Sequence, residues 1–233
     1  METKSLTGGG RLTSRAAGVC GLAFVLSTFL GLTGLLGRDL FFTNPTTEQV
    51  LAWARQDGGL ILFSWYVNAL TTTLFYGLFI VLLLQVVGTR GAVATMALVG
   101  ILITIVISWT QLGMIYAMVQ LARQGGDSAG VVTLFKLGET MQTTDGVGVG
   151  LAIGCSSWLA VRARALPAVL GWYGLLVAAF FVVGGALQIE GMGIIGPIGI
   201  LAGLLWVTIV SVLLLARPVA VRQPLSAGVP APV

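Results

Sequence analysis

Apolar positions along the chain fall into long unbroken runs separated by short polar or glycine-rich links. A helix needs about 20 apolar residues to cross a bilayer, and six runs reach that length: roughly 16–37, 60–87, 92–113, 143–161, 167–187 and 192–216. Helical apolar sequence continues past the third run to about Ala122. The links include "GTRG" at 88–91, "RARALP" at 162–167 and "QIEGMG" at 188–193. The pattern predicts an all-α polytopic membrane protein, a six-helix bundle over residues 15–216. The ends, 1–14 and 217–233, are rich in Gly, Ser or Pro and lack an apolar face, so both are expected to be disordered cytoplasmic tails.

The longest link, about 38–59, carries its own helical signal. Thr46 is placed to cap a helix with Gln49 closing a capping box, and Gly58 is placed to end it in a left-handed turn. Val50, Leu51, Trp53 and Ala54 give that helix an apolar side. The expectation is a separate short amphipathic helix between the first and second spans, lying across the outer mouth of the bundle, as a lid would, or at the outer headgroups.

Charge then sets the orientation. Only 9% of the 233 residues are charged, against roughly 25% in a soluble domain. With the N-terminus cytoplasmic, Lys4, Arg11, Arg15, Arg90, Arg162, Arg164, Arg217 and Arg222 lie inside, eight of the twelve cations. Seven of the eight acids then lie outside or in the outer membrane half, and Glu2 alone lies inside. Positive charge retained inside predicts a multi-pass protein of the cell membrane with both termini cytoplasmic. The net charge of +4 therefore reflects membrane-flanking cations, and no nucleic-acid partner is expected. The basic leader Lys4, Arg11, Arg15 precedes an apolar stretch with no A-x-A-like site, so the first run is expected to stay as an uncleaved span.

Composition also removes chemistries. There is no histidine, and Cys20 and Cys155 stand alone in apolar runs, so no metal site is expected. Paired mid-membrane aspartates, HExxH, CxxCH and a P-loop are all missing, and Lys136 lies too far out for a retinal-type Schiff base. The chain is expected to be non-enzymatic and free of cofactors.

Two kinds of residue remain to be explained. Small residues at four-residue spacing in the fourth run, Gly146, Gly150 and Gly154, and a similar stripe in the sixth, Gly196, Gly199 and Gly203, predict close helix packing. Polar residues in the outer halves of the spans predict a lining: Asn68, Gln111, Gln142, Asp145, Glu139 and Glu190, with Ser64 and Thr71 on the Asn68 stripe. A charged group within the hydrocarbon needs a reason, and Asp145 is the one acid expected there. Partners are therefore the lipid bilayer and either a small or lipidic ligand bound in the outer half or a membrane-protein partner. Two alternatives stand beside the ligand reading: a small proton- or cation-coupled transporter using Asp145, and a scaffold that pairs through its glycine faces.

The second half adds a resemblance. A basic turn into Leu166–Pro167, then Leu170–Gly171 in the fifth run, and Trp206 in a last run closing on Arg217, resemble a group of bacterial six-span membrane proteins known as a domain of unknown function. The resemblance covers about Arg15 to Arg217 and implies a six-helix inner-membrane protein without an assigned activity. The chain departs from that pattern in having no histidine in its fourth helix.

Overall fold

A computed structural model of the chain describes residues 6–33, 45–87, 91–187 and 195–217. Those residues are helical apart from short turns, and no strand occurs among them. The order is α1 (Leu6–Thr33), α2 (Thr47–Thr71), a π-helical turn (Thr72–Tyr76), α3 (Gly77–Val87), α4 (Ala92–Arg123), α5 (Ser128–Ala163), α6 (Ala168–Leu187) and α7 (Ile195–Ala216). Five helical stretches are long and apolar enough to cross a membrane: 10–30, 47–87, 92–123, 128–163 and 198–216. The apolar helix at Ala168–Gly184 is shorter. These are the helices of a membrane protein. Glu190 and most of the tails lie outside the described residues.

Three helices are longer than the apolar runs predict. α1 begins at Leu6, ahead of the expected start at Ala16. Its early part is held by tertiary contact, since the Ser14 hydroxyl donates to Leu214 O of α7 at 3.2 Å. α5 begins at Ser128, four turns before the expected start near 143. Asp127 caps it, accepting from the N–H groups of Ala129 and Gly130 at 3.1 and 3.3 Å. The capping box at Thr46 and Gln49 forms as the sequence indicates.

The separate outer helix is a correction. The Thr46 cap opens α2 itself, which runs through Gly58 and Gly59 without a break. Gly58 is buried in a helix interface and ends nothing: a methyl there would lie 3.3 Å from the Arg123 guanidinium and against Val119. Packing against α4 overrides the local tendency of glycine to stop a helix. Nearby, Arg55 Nε donates to Ala122 O at 3.0 Å and tethers the last turn of α4 to α2. A cation there also complements the negative end of the α4 dipole.

The long helices enclose two hydrophobic cores. The larger collects Phe79, Ile80, Leu83, Ile153, Trp206 and Leu214 among others from α1 and α3 to α7. The smaller gathers Val50, Trp53, Ile61, Met118, Val119 and Phe135 from the N-terminal part of α2, the C-terminal part of α4 and the N-terminal part of α5. Trp53 and Phe135 meet edge-on there at 6.1 Å. Between the two cores lies a band of buried polar residues: Ser64, Thr71, Thr72, Thr104, Ser108 and Gln111.

α5 is gripped on two sides by glycine. Residues two apart on a helix point about 200° away from each other, so Gly146, Gly150 and Gly154 face one way and Gly148 the other. The first set meets α6: a methyl at Gly146 or Gly150 would lie 3.1 Å from Phe181 O or Ala178 O, and one at Gly154 would lie 2.9 Å from Ala178 Cβ. Gly148 meets α4, where a methyl would lie 2.6 Å from Thr104 Oγ1 and 2.8 Å from Gly100 O. Gly100 returns the contact, with Gly148 O at 2.6 Å from its own added methyl. In α7, Gly199 and Gly203 both face the Phe181 ring. Where lipid supplies little drive to pair helices, such backbone approaches carry the packing.

These contacts give a paired prediction. Gly148→Val places a branched side chain against α4 backbone and should destabilise the bundle by about 1–3 kcal/mol, read as a lower unfolding midpoint in detergent. Gly138→Ala is the contrast. Nothing lies within 4 Å of a methyl there, and the higher helix propensity of alanine should leave the midpoint level or raised.

Candidate functional site

The Gly100–Gly148 crossing fixes what faces what. One turn after Gly100 on α4 stands Thr104, and one turn before Gly148 on the antiparallel α5 stands Asp145. Backbone contact at the crossing brings these two side chains together, with the Thr104 hydroxyl alongside the Asp145 carboxylate. The pair does not close a hydrogen bond of ordinary geometry, and Thr104 Oγ1 and Asp145 Oδ1 are both buried without a partner.

A third group comes from the helix that includes the π-helical turn. Ser64, Asn68 and Thr71 form a stripe that in an unbroken α-helix continues at Phe75. A π turn carries one more residue than an α turn, and the stripe passes to Tyr76. Tyr76 is 2% exposed, whereas Phe75 is only half-buried. The Phe24 ring stacks on Tyr76 with centroids 4.8 Å apart, and the hydroxyl is within electrostatic range of Asp145. Tyr76 Oη is also buried without a hydrogen-bond partner. Threonines cluster at the turn. The Thr73 hydroxyl donates to Ala69 O at 2.8 Å and accepts from Trp109 Nε1 at 2.9 Å.

The residues singled out by sequence are distributed around this centre. Asp145 is in it. Gln111, 2% exposed, lies two turns beyond Thr104 on the same face of α4, and its amide donates to Gly138 O of α5 at 3.1 Å. Gln111 therefore ties helices together and does not reach the carboxylate. Asn68 is partly buried on α2, with its backbone carbonyl taking the Thr71 hydroxyl at 3.1 Å. Glu139 is half-buried nearer the N-terminus of α5 and interacts with Lys136. Gln142 lies within α5, but its side chain, like Glu190, is outside what is described.

Tyr76 and Thr104 are not reachable in the same way. Thr104, Ser108 and Gln111 stand at i, i+4 and i+7, a spacing that marks the face. Tyr76 is reached only through the π turn, which no periodicity reveals. Among the described residues no group of three metal-ligating Cys, Asp or Glu side chains occurs.

A second set of buried polar atoms lies deeper in the larger core. Ser156, Ser157, Ser211 and the indole N–H of Trp206 are fully buried without a hydrogen-bond partner. Gly174 of α6 fits between Ser157 and Trp206. The region is tightly packed, and no acid accompanies it among the described residues.

Comparison with known proteins gives no match: no family model fits the sequence, and no curated protein and no solved structure resembles it at a significant level.

The Gln111–Gly138 bond gives a second prediction. Gln111→Ala should lower the detergent unfolding midpoint by the worth of one interhelical hydrogen bond, about 0.6–1.7 kcal/mol. An unchanged midpoint would show that the bond contributes nothing.

Proposed function

We propose that the chain is a non-enzymatic, six-span protein of the cell membrane, with both termini cytoplasmic, that binds a small ligand in the outer half of its bundle around Asp145. The observation that carries this reading is three buried polar atoms without hydrogen-bond partners, Asp145 Oδ1, Thr104 Oγ1 and Tyr76 Oη, the last of them in a π turn, on helices apolar enough to cross a membrane. π turns inside α-helices occur frequently at functional sites.

The depth follows from exposed aromatic residues. Tyr66 and Trp109 meet edge-on at 6.1 Å and are both exposed. Trp158 and Trp172 are exposed at the other end, with the Arg162 guanidinium 5.7 Å from the Trp158 ring centre. Such belts mark the two membrane–water interfaces. From Ala92 to Trp109 along α4 there are seventeen rises, roughly 26 Å at about 1.5 Å each and close to the hydrocarbon thickness of about 30 Å. α6 spans 20 residues, which supports the sixth crossing.

On this placement the level of Trp109 matches residue 140 of α5, given the Gln111–Gly138 contact. Asp145 then lies about 7.5 Å inside the outer boundary. The smaller core, with Arg55, Asp57, Arg123 and Lys136 around it, stands outside the membrane. The resemblance to six-span bacterial membrane proteins agrees with this architecture.

The π turn favours a second reading, a small proton- or cation-coupled transporter. It loosens the helix at the level of Asp145 and supplies a place where packing can rearrange. Reconstituted protein tests both readings. Under the transport reading, vesicles take up solute or protons down an imposed pH or Na+ gradient, and Asp145→Asn removes the flux. Absence of flux under every gradient would retire transport and leave ligand binding. Cysteine labelling that placed position 90 or 164 outside would overturn the orientation for both.

A further inference from the structure

We propose that Asp145, Thr104 and Tyr76 form a binding site for one monovalent cation, occupied by a proton or by an alkali ion such as Na+. This rests on the membrane reading above and adds to it the class of ligand and two donors on other helices.

The behaviour of Thr104 is the first support. A threonine in an apolar helix ordinarily turns its hydroxyl back to the carbonyl four residues earlier. Thr73, Thr110, Thr133, Thr140 and Thr208 all do so, at 2.7–2.9 Å. Thr104 does not, and its hydroxyl stays unpartnered beside the carboxylate although the residue is only 3% exposed. The carbonyl it forgoes belongs to Gly100, which lies against Gly148 at the helix crossing. Tyr76 repeats the pattern from another helix, its ring fixed by Phe24 and its hydroxyl unpartnered. Thr104 Oγ1 and Asp145 Oδ1 thus stand side by side from α4 and α5, and Tyr76 Oη lies within electrostatic reach of that carboxylate from a third helix, each buried without a hydrogen bond of ordinary geometry.

Charge supplies the second support. An ionised carboxylate out of water needs a counter-charge. α6 and α7 carry no charged side chain along their lengths. On α5 the nearest charged residues are Glu139 and Lys136, about two and three turns outward, and Lys136 acts on Glu139. Arg55 is engaged with the end of α4, Arg123 stands at Gly58, and Asp57 lies in the same outer region. Arg11 and Arg15 on α1 and Arg162 on α5 are at the opposite end. Among the described residues, none balances Asp145.

The donors limit the ligand. One carboxylate with two neutral hydroxyls offers a single negative charge and only oxygen atoms. A divalent ion is ordinarily held by more carboxylate ligands. A proton on Asp145 lets the carboxylic O–H donate to one hydroxyl while the other donates to the remaining oxygen. An alkali ion takes a lone pair from each hydroxyl and one from the carboxylate.

Equilibrium binding tests the site without a gradient. The purified full-length protein in detergent is titrated with radioactive Na+ over a range of pH, and proton uptake is followed in parallel with an indicator dye. The expected result is one saturable site from which protons displace Na+. Asp145→Asn should abolish it. Thr104→Val and Tyr76→Phe, which keep size and shape, should each weaken it about tenfold, the worth of a hydrogen bond to a charged group. Proton uptake that depends on Asp145 without Na+ binding assigns the site to the proton alone. If Asp145→Asn does not fold, the two isosteric variants decide. Binding equal to wild type in both overturns the site, as does the absence of both Na+ binding and proton uptake. Asp145-dependent flux that both variants leave intact overturns the site and spares the transport reading. Binding without flux does the reverse.

Discussion

The contact on which the arrangement depends is the bare crossing of α4 and α5 at Gly100 and Gly148. Neither residue has a side chain, so the two backbones approach as closely as helices can, and added methyls would be 2.6 Å from atoms of the facing helix. In lipid this approach is a main source of cohesion, because the solvent gives apolar side chains no reason to prefer one another. It also decides the chemistry one turn away. Thr104 and Asp145 meet because the crossing is tight, and α6 closes the other side of α5 through Gly146, Gly150 and Gly154.

Glycine is an expensive way to build a helix in water, where it costs roughly 1 kcal/mol against alanine. "GVGVG" is tolerated because each glycine is matched to a neighbour. The alternation serves two faces at once, so one segment contacts helices on both sides. The buried polar band between the two cores has a related logic. Ser64, Thr71, Ser108 and Gln111 lie where the packing passes from one core to the other. Gln111 answers its own demand by bonding the backbone of α5.

Much of this is legible in the sequence, and the limits have physical causes. The apolar runs locate the helices, and the glycine stripe of the fourth run points to a close interface, which α6 fills. The capping box at Thr46 and Gln49 is readable because a cap is set by side chains three residues apart. The helix it opens is longer than local signals indicate, since the fate of Gly58 is decided by Val119 and Arg123 on another helix. α5 also outruns its apolar stretch. Lys136, Glu139 and the polar residues around them do not look like membrane span; they belong to a part packed on the smaller core. Asp145 stands out as an acid in an apolar run. Thr104 is accessible through its spacing to Gln111. Tyr76 is hidden, because one extra residue in a π turn shifts the stripe and leaves no mark in the sequence.

The smaller core has a mechanical consequence. α4 and α5 pass from it into the larger core without interruption, and α2 does so up to Thr71. Three struts are bound together at one end by Trp53, Met118 and Phe135, and bodies so joined tilt together. A load applied to that end therefore arrives, by leverage, at the pivot where α4 and α5 cross. Two of the struts are stiff to that point and beyond. The third changes its winding at Thr72–Tyr76 before it enters the larger core, so it does not carry that load along one unbroken α-helix.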